Sequence, residues 1–176
     1  AARTTRLYPI VLLTLGTGLR RGEALGLRWS DIDLERRTLT VAQSLEQVKG
    51  ELRFKVPKTR KSRRTIALSP SLVEELQAHR ARQATERLAL GLGRAELVFS
   101  RIDGDPIQPD SVTKMFARIV ARAGIKPVSF HCLRHTHATE LLRAGVHPKV
   151  ASERLGHASI AITMDTYSHA IPGLQE

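Results

Sequence analysis

The apolar residues of this chain change their repeat twice, and that change of period limits what it can fold into. From Thr5 to Leu27 they recur at helical spacing (Leu7, Ile10, Val11, Leu15), and Gly16-Thr17-Gly18 breaks the run before a second short helix from Arg20 to Leu27. Three segments then alternate as half-buried strands do: Thr38-Leu-Thr-Val-Ala, Glu51-Leu-Arg-Phe-Lys-Val and Arg64-Thr-Ile-Ala-Leu. Polar, Gly- and Lys-containing stretches separate them, which predicts a three-stranded meander. From Ser69 the helical period returns, with Ser69 as N-cap and Pro70 at the first helical position of a helix running to about Leu90. A brief apolar stretch, Leu97-Val-Phe99, precedes a turn at Asp103-Gly-Asp-Pro106. Asp110 or Ser111 can cap the next helix, which runs through Ala123, buries Met115, Phe116, Ile119 and Val120, and stops at Gly124. Ser129 opens a further helix that Gly145 closes, and two short helices follow, over Pro148 to Leu155 and Ile160 to about Thr166. The expected fold class is α+β, mainly α-helical, with one small antiparallel sheet.

At 176 residues the chain suits one domain, able to bury about 70% of the surface that its unfolded form exposes. Its 28 Lys and Arg against 17 Asp and Glu give a formal charge of +11, a field that favours a polyanionic partner. No apolar run approaches the roughly 20 residues of a membrane span, and no lipidation signal is present. Aromatic residues make up 4%, too few for the stacking platforms that hold single strands, so duplex DNA is the expected partner. The lone cysteine, Cys132, excludes an intrachain disulfide framework and a Cys-rich zinc site, and is compatible with a reducing cytoplasm. The opening Ala-Ala-Arg-Thr has neither an initiator Met nor a leader, and the chain reads as a fragment.

Tyr167 lies ten positions beyond Leu155-Gly156-His157, among the polar residues Thr166, Ser168 and His169. A phenol with a pKa of about 10 is a poor nucleophile unless nearby cations stabilise its developing charge. Candidates to do so stand in two other segments. His131 and Arg134, three apart on one predicted helix, share a face and can converge on one phosphate. Arg20 follows Thr17-Gly18-Leu19 where a helix begins, a natural place for a phosphate contact, and Glu23 can pair with Arg20 or Arg21. Each of these residues has a plain structural reading as well: a solvated basic face, an intrahelical ion pair, a core or interface tyrosine. His131-Cys-Leu-Arg-His135 also has the spacing of a zinc-binding helix, but Cys132 stands where such a protease needs Glu, and no third ligand is obvious.

In their order along the chain these motifs resemble the tyrosine recombinases, or phage-type integrases, specifically their C-terminal catalytic domain. The resemblance runs from about Arg6 to Ile171. It is carried by Thr-Gly-Leu-Arg20-Arg-Gly-Glu-Ala-Leu-Gly-Leu-Arg-Trp-Ser-Asp-Ile-Asp, Pro57-Lys58-Thr59, His131-x-x-Arg134-His-Thr, Leu-Gly-His157 and Tyr167. It implies that Arg20 and Arg134 clamp the scissile phosphate. It also implies that Lys58, with Lys55 and Lys61 as competitors, protonates the departing 5′ hydroxyl. By the same resemblance, His131 assists proton transfer at the nucleophile, His157 hydrogen-bonds the phosphate, and Tyr167 attacks it to leave a 3′ phosphotyrosyl link. Cys132 departs from the Asp often found there.

Such a covalent link conserves the energy of the broken phosphodiester, so neither ATP, metal nor cofactor is expected. The basic turn holding Arg60, Lys61, Arg63 and Arg64 is expected to touch the DNA backbone. The resemblance further implies that residues 1–176 are the catalytic domain, that an N-terminal core-binding domain belongs to a longer protein, and that the isolated domain is a monomer while the full-length protein forms a homo-tetramer on DNA. A type IB topoisomerase-like strand cleavage and a catalytically silent DNA-binding module remain the alternatives.

Overall fold

The computed structural model describes residues 5–56, 63–157 and 159–167. Helix α1 (Tyr8–Thr17) begins with Pro9 in its first turn and is closed by Gly18, and α2 (Arg21–Leu25) follows after one tight turn. A 3₁₀ turn over Trp29–Asp31 then leads into the strands: β1 (Ile32–Asp33), β2 (Thr38–Thr40), β3 (Ser44–Val48), β4 (Glu51–Lys55) and β5 (Thr65–Ala67). Helix α3 (Pro70–Leu88) is capped by Ser69, whose hydroxyl accepts the Leu72 N–H at 3.3 Å. The remaining helices are α4 (Pro109–Arg122), α5 (Cys132–Arg143), α6 (Pro148–Leu155) and α7 (Ile160–Tyr167). The mainly helical α+β class expected from the period changes is the one observed, and helix positions agree to within a few residues.

The sheet differs from the expected meander. Strands β1, β2 and β5 form one antiparallel sheet in that order, with Leu39 of β2 opposite Ile32 and Ile66. Strand β4 pairs instead with β3, a segment not expected to be a strand, in a separate two-stranded hairpin. Lys49 and Gly50 both hold positive φ (51° and 88°) at the hairpin's tip, the backbone of the primed turns whose twist matches paired strands. The local turn therefore joins β4 to its neighbour, and β2 finds β5 across the excursion. The cap of α4 also differs. Gln108 occupies the N-cap position and Pro109 the first turn, so Asp110 and Ser111 lie inside the helix.

The main core collects Leu7 just before α1, Ile10 and Leu13 of α1, Leu39, Leu45 and Ile66 of the strands, Leu72 and Leu76 of α3, and Val112, Phe116 and Val120 of α4. Met115 and Ile119 sit half-buried at its edge. A smaller cluster, Ala138 and Leu142 of α5 with Ala151 and Leu155 of α6, packs the C-terminal helices together. Each buried leucine contributes roughly 1.5–3 kcal/mol. The candidate site lies along the seam between these two clusters.

Candidate active site

Gly18 ends α1 in the left-handed conformation (φ 69°), its N–H donating to the Thr14 carbonyl at 2.8 Å. A Cβ at this position would lie 2.7 Å from both His137 Cδ2 and Leu155 Cδ2, so only glycine lets this turn rest on α5 and α6. The turn delivers Arg20 to the start of α2. Glu23, one turn on, accepts the Arg20 backbone N–H on Oε2 at 2.8 Å and its Nη1 on Oε1 at 3.1 Å. A carboxylate in the first turn suits the helix dipole, and here it also fixes the plane of a guanidinium. The Arg20 side chain stays 44% exposed, while its Nη2 donates to the Gly156 carbonyl at 3.2 Å.

Arg134 spans the seam from the other side. Buried to 2% exposure on α5, it donates from Nη1 to the Gly18 carbonyl and from Nη2 to the Leu155 carbonyl, each at 2.7 Å. A guanidinium carries five N–H donors in a fixed fork, and two of them here tie the Thr-Gly-Leu-Arg turn to the Leu-Gly-His turn. Arg20 and Arg134 thus reach the same two turns, and three residues separated widely in sequence, Arg20, Arg134 and His157, meet at one place.

The histidines register the positive field of that place. Burial first, then the charges of Arg134, Arg20, Arg64 and His135, push the His157 pKa down to about 4, and its Nδ1 lies 2.8 Å from the Thr163 hydroxyl on α7. His131, at the N-cap of α5, is likewise lowered, by burial and then by His135, Arg134 and Arg20. Its ring meets His135 edge to face, with centroids 4.7 Å apart. Both histidines are therefore neutral at pH 7. His131 shares with Arg20 a cleft of about 610 Å³, bounded by β3 and by Thr113 and Ser129.

Arg64 corrects an expectation. The basic run predicts that it touches the DNA backbone, yet its side chain is 7% exposed and its guanidinium donates to both oxygens of Glu23, at 3.0 and 2.9 Å. Its Nε donates to the Arg154 carbonyl at 2.6 Å. Enclosed in this way, it cannot lie along a DNA backbone. Arg63 is exposed, and Lys58, Arg60 and Lys61 lie outside the described residues. Glu23 pairs with Arg20 and Arg64, whereas Arg21 turns to Asp110, the Pro109 carbonyl and the Thr113 hydroxyl. Tyr167 is the last residue of α7, one helical turn after Thr163.

Two further residues escaped the sequence reading. Arg154 of α6 donates from Nε to His137 Nε2 at 3.1 Å and from Nη2 to the carbonyls of Ala67 (3.1 Å) and Gly16 (3.3 Å). His137, which accepts that bond, is held neutral with a pKa of about 4, by burial and then by the Arg154 charge. The sequence carries one signal for them, three histidines (His131, His135 and His137) within seven positions of α5 and its N-cap. Among the described residues, no cluster of three or more His, Cys, Asp or Glu is arranged to hold a metal, and no helix is long and apolar enough to cross a membrane.

Comparison with known proteins finds the model of the phage integrase family matching residues 1–172. A XerC-like tyrosine recombinase of Caldanaerobacter subterraneus subsp. tengcongensis is 41% identical across 98% of this chain and 48% of its own length. The integrase of transposon Tn1549, solved in complex with transposon right end DNA, superposes with a TM-score of 0.80 at 26% identity, over 97% of this chain and 56% of that one. The catalytic domain of bacteriophage HP1 integrase gives 0.62 at 25% identity, over 97% of this chain and 78% of that one. The chain spans about half the length of the curated relatives it matches.

Proposed function

Since the chain belongs to the phage integrase family of tyrosine recombinases, we propose that it is the catalytic part of a site-specific DNA recombinase, cutting and rejoining duplex DNA through Tyr167. The observation that carries this reading is the convergence of Arg20 and Arg134 on the two turns that also hold His157.

The Tyr167 phenolic oxygen attacks the scissile phosphorus, the bond to the 5′ oxygen breaks, and a 3′ phosphotyrosyl ester forms. The phenol proton passes to His131, which is neutral and can accept it. A lysine, Lys58 in this reading, gives the 5′ oxygen its proton. Negative charge grows on the non-bridging oxygens, where Arg20 and the field of Arg134 stabilise it. A preorganised donor of this kind contributes about 10² to 10³ in rate. We assign the Thr163 hydroxyl as donor to His157 Nδ1, 2.8 Å away, so that the neutral ring carries its one N–H on Nε2 and donates it to the same phosphate. Attack by another 5′ hydroxyl then reverses each step and releases Tyr167. The surplus of positive charge that these steps need is supplied by side chains, so the chemistry should proceed in EDTA.

The partner is duplex DNA, attracted by a +11 chain, and the assembly in the whole protein is a homo-tetramer pairing two sites, while the isolated 176-residue chain is a monomer. Arg60, Lys61 and the exposed Arg63 remain proposed backbone contacts. Incubating the complete protein with two labelled duplexes, selected from a genomic library by covalent trapping, tests the reading. Recombinant joints between the two duplexes in EDTA are expected. Relaxation of supercoils without joints would instead indicate a topoisomerase-like activity.

A further inference from the structure

Arg64 does not face solvent: its guanidinium is enclosed at 7% side-chain exposure and donates to Glu23 and, through Nε, to the Arg154 carbonyl. Its backbone is fixed at the approach to β5, where its carbonyl accepts the Val41 N–H at 2.9 Å. Its side chain grips both oxygens of Glu23, and each of those oxygens also accepts one bond from Arg20. The fit leaves no slack: a Cβ at Gly156 would lie 2.8 Å from Arg64 Nη1 and 3.1 Å from its Cζ.

Two guanidinium groups therefore share one carboxylate, and the cluster keeps a net positive charge. Arg64 is enclosed at 7% side-chain exposure and Arg20 is open at 44%, so the surplus charge is presented on the Arg20 side. If Glu23 had Arg20 as its only partner, the same carboxylate that orients the guanidinium would cancel its charge and compete with a phosphate for its donors. Resting on the proposed recombinase reading, we propose that Arg64 is a positioning residue for Arg20: by neutralising Glu23 it lets the carboxylate hold Arg20 in place while leaving its charge available to DNA phosphate. Arg154, whose carbonyl takes the third bond of Arg64, anchors the arrangement to α6.

Single-turnover formation of the Tyr167 adduct at saturating nicked duplex separates this role from a purely structural one. Arg64→Lys keeps the charge but loses the two-pronged grip, and should fall at least about tenfold in rate while remaining folded at the assay temperature. In an Arg20→Ala background the same change should have no further effect. A wild-type rate in Arg64→Lys, or an equal fold-loss with and without Arg20, overturns the proposal.

A second readout needs no cleavage. With Tyr167→Phe as parent, Arg64→Met should flatten the dependence of log affinity for duplex DNA on log salt by about 0.9, the share of one phosphate contact. Adding Glu23→Gln to Arg64→Met should restore that slope. If the wild type forms no adduct but these slope changes appear and vanish without Arg20, the recombinase reading fails and the role of Arg64 stands. An unchanged slope in a folded Arg64→Met protein sinks the role itself.

Discussion

Arg134 bears a full charge at 2% exposure, and besides the field proposed to stabilise the phosphate it supplies two carbonyl bonds that hold the Gly18 and Leu155 turns in register. Arg134→Lys cannot span both carbonyls with one ammonium. It should lower stability by about 2–3 kcal/mol, the scale of hydrogen bonds to charged groups, and slow adduct formation by about 10². Chemical denaturation and single-turnover cleavage check the pair; a stable and fully active Lys variant would contradict the bracing role. The proposed base, His131, has its pKa below the ordinary 6.5 through burial and the charges of His135, Arg134 and Arg20. Its neutral, proton-accepting form therefore persists to lower pH than usual, and the acidic limb of the pH–rate profile should lie below pH 6.5. A limb at pH 7 or above, or one unchanged in His131→Ala, would remove His131 from the mechanism. At this scale, Arg20, His131, Arg134 and His157 were legible in the sequence because short motifs carry them. Arg64 was misread because its burial depends on Glu23, 41 positions away, and on the absence of a side chain at Gly156. A run of basic residues gives no sign of which one turns inward.

The helices were legible as elements because caps and stops are local: Ser69 accepts the Leu72 N–H as its position before Pro70 suggests, and Gly18, Gly124, Gly145 and Gly156 follow helix ends with positive φ. The sheet was less so. Strands β2 and β5 lie about 25 residues apart, while the intervening β3–β4 hairpin is set by the backbone of Lys49-Gly50. A Lys-Gly pair is a weaker signal than Asn-Gly, and Ser-Leu-Glu-Gln-Val carries a single β-branched residue, Val48, at its end. Gly50→Val should cost the hairpin about 1–2 kcal/mol, because a branched residue is strained at φ 88°. Amide exchange should quicken in Ser44–Val48 and Glu51–Lys55 and remain unchanged in β1, β2 and β5. Equal acceleration of both sheets would mean that they open as one unit.

Across the whole molecule, the crowd of cations at the seam has a thermodynamic signature. His137 and His157 titrate at about 4 in the folded chain and near 6.5 when unfolded. Between those values the unfolded state binds more protons, so stability is full above pH 6.5, falls as pH drops toward 4, and then levels for these groups. Burial raises the Glu23 carboxyl pKa, but bonding to Arg64 and the charges of Arg64 and Arg20 outweigh it. The net depression extends the loss of stability below pH 4.5. Calorimetry should find a lower Tm at pH 5 than at pH 7.5, with uptake of up to about two protons from these histidines on unfolding near pH 5; a flat Tm would contradict the cationic environment. Period made the fold class legible and charge pointed to the proposed polyanionic partner, whereas the meeting of the two turns at one seam required the tertiary structure. The central claim is that these groups serve a tyrosine nucleophile, and covalent trapping tests it most directly. The protein is incubated in EDTA with a library of nicked duplexes, resolved under denaturing conditions, and the DNA-linked peptide is sequenced. A DNA adduct on Tyr167, absent in Tyr167→Phe, is predicted; no adduct, or one that survives that substitution, would contradict the account.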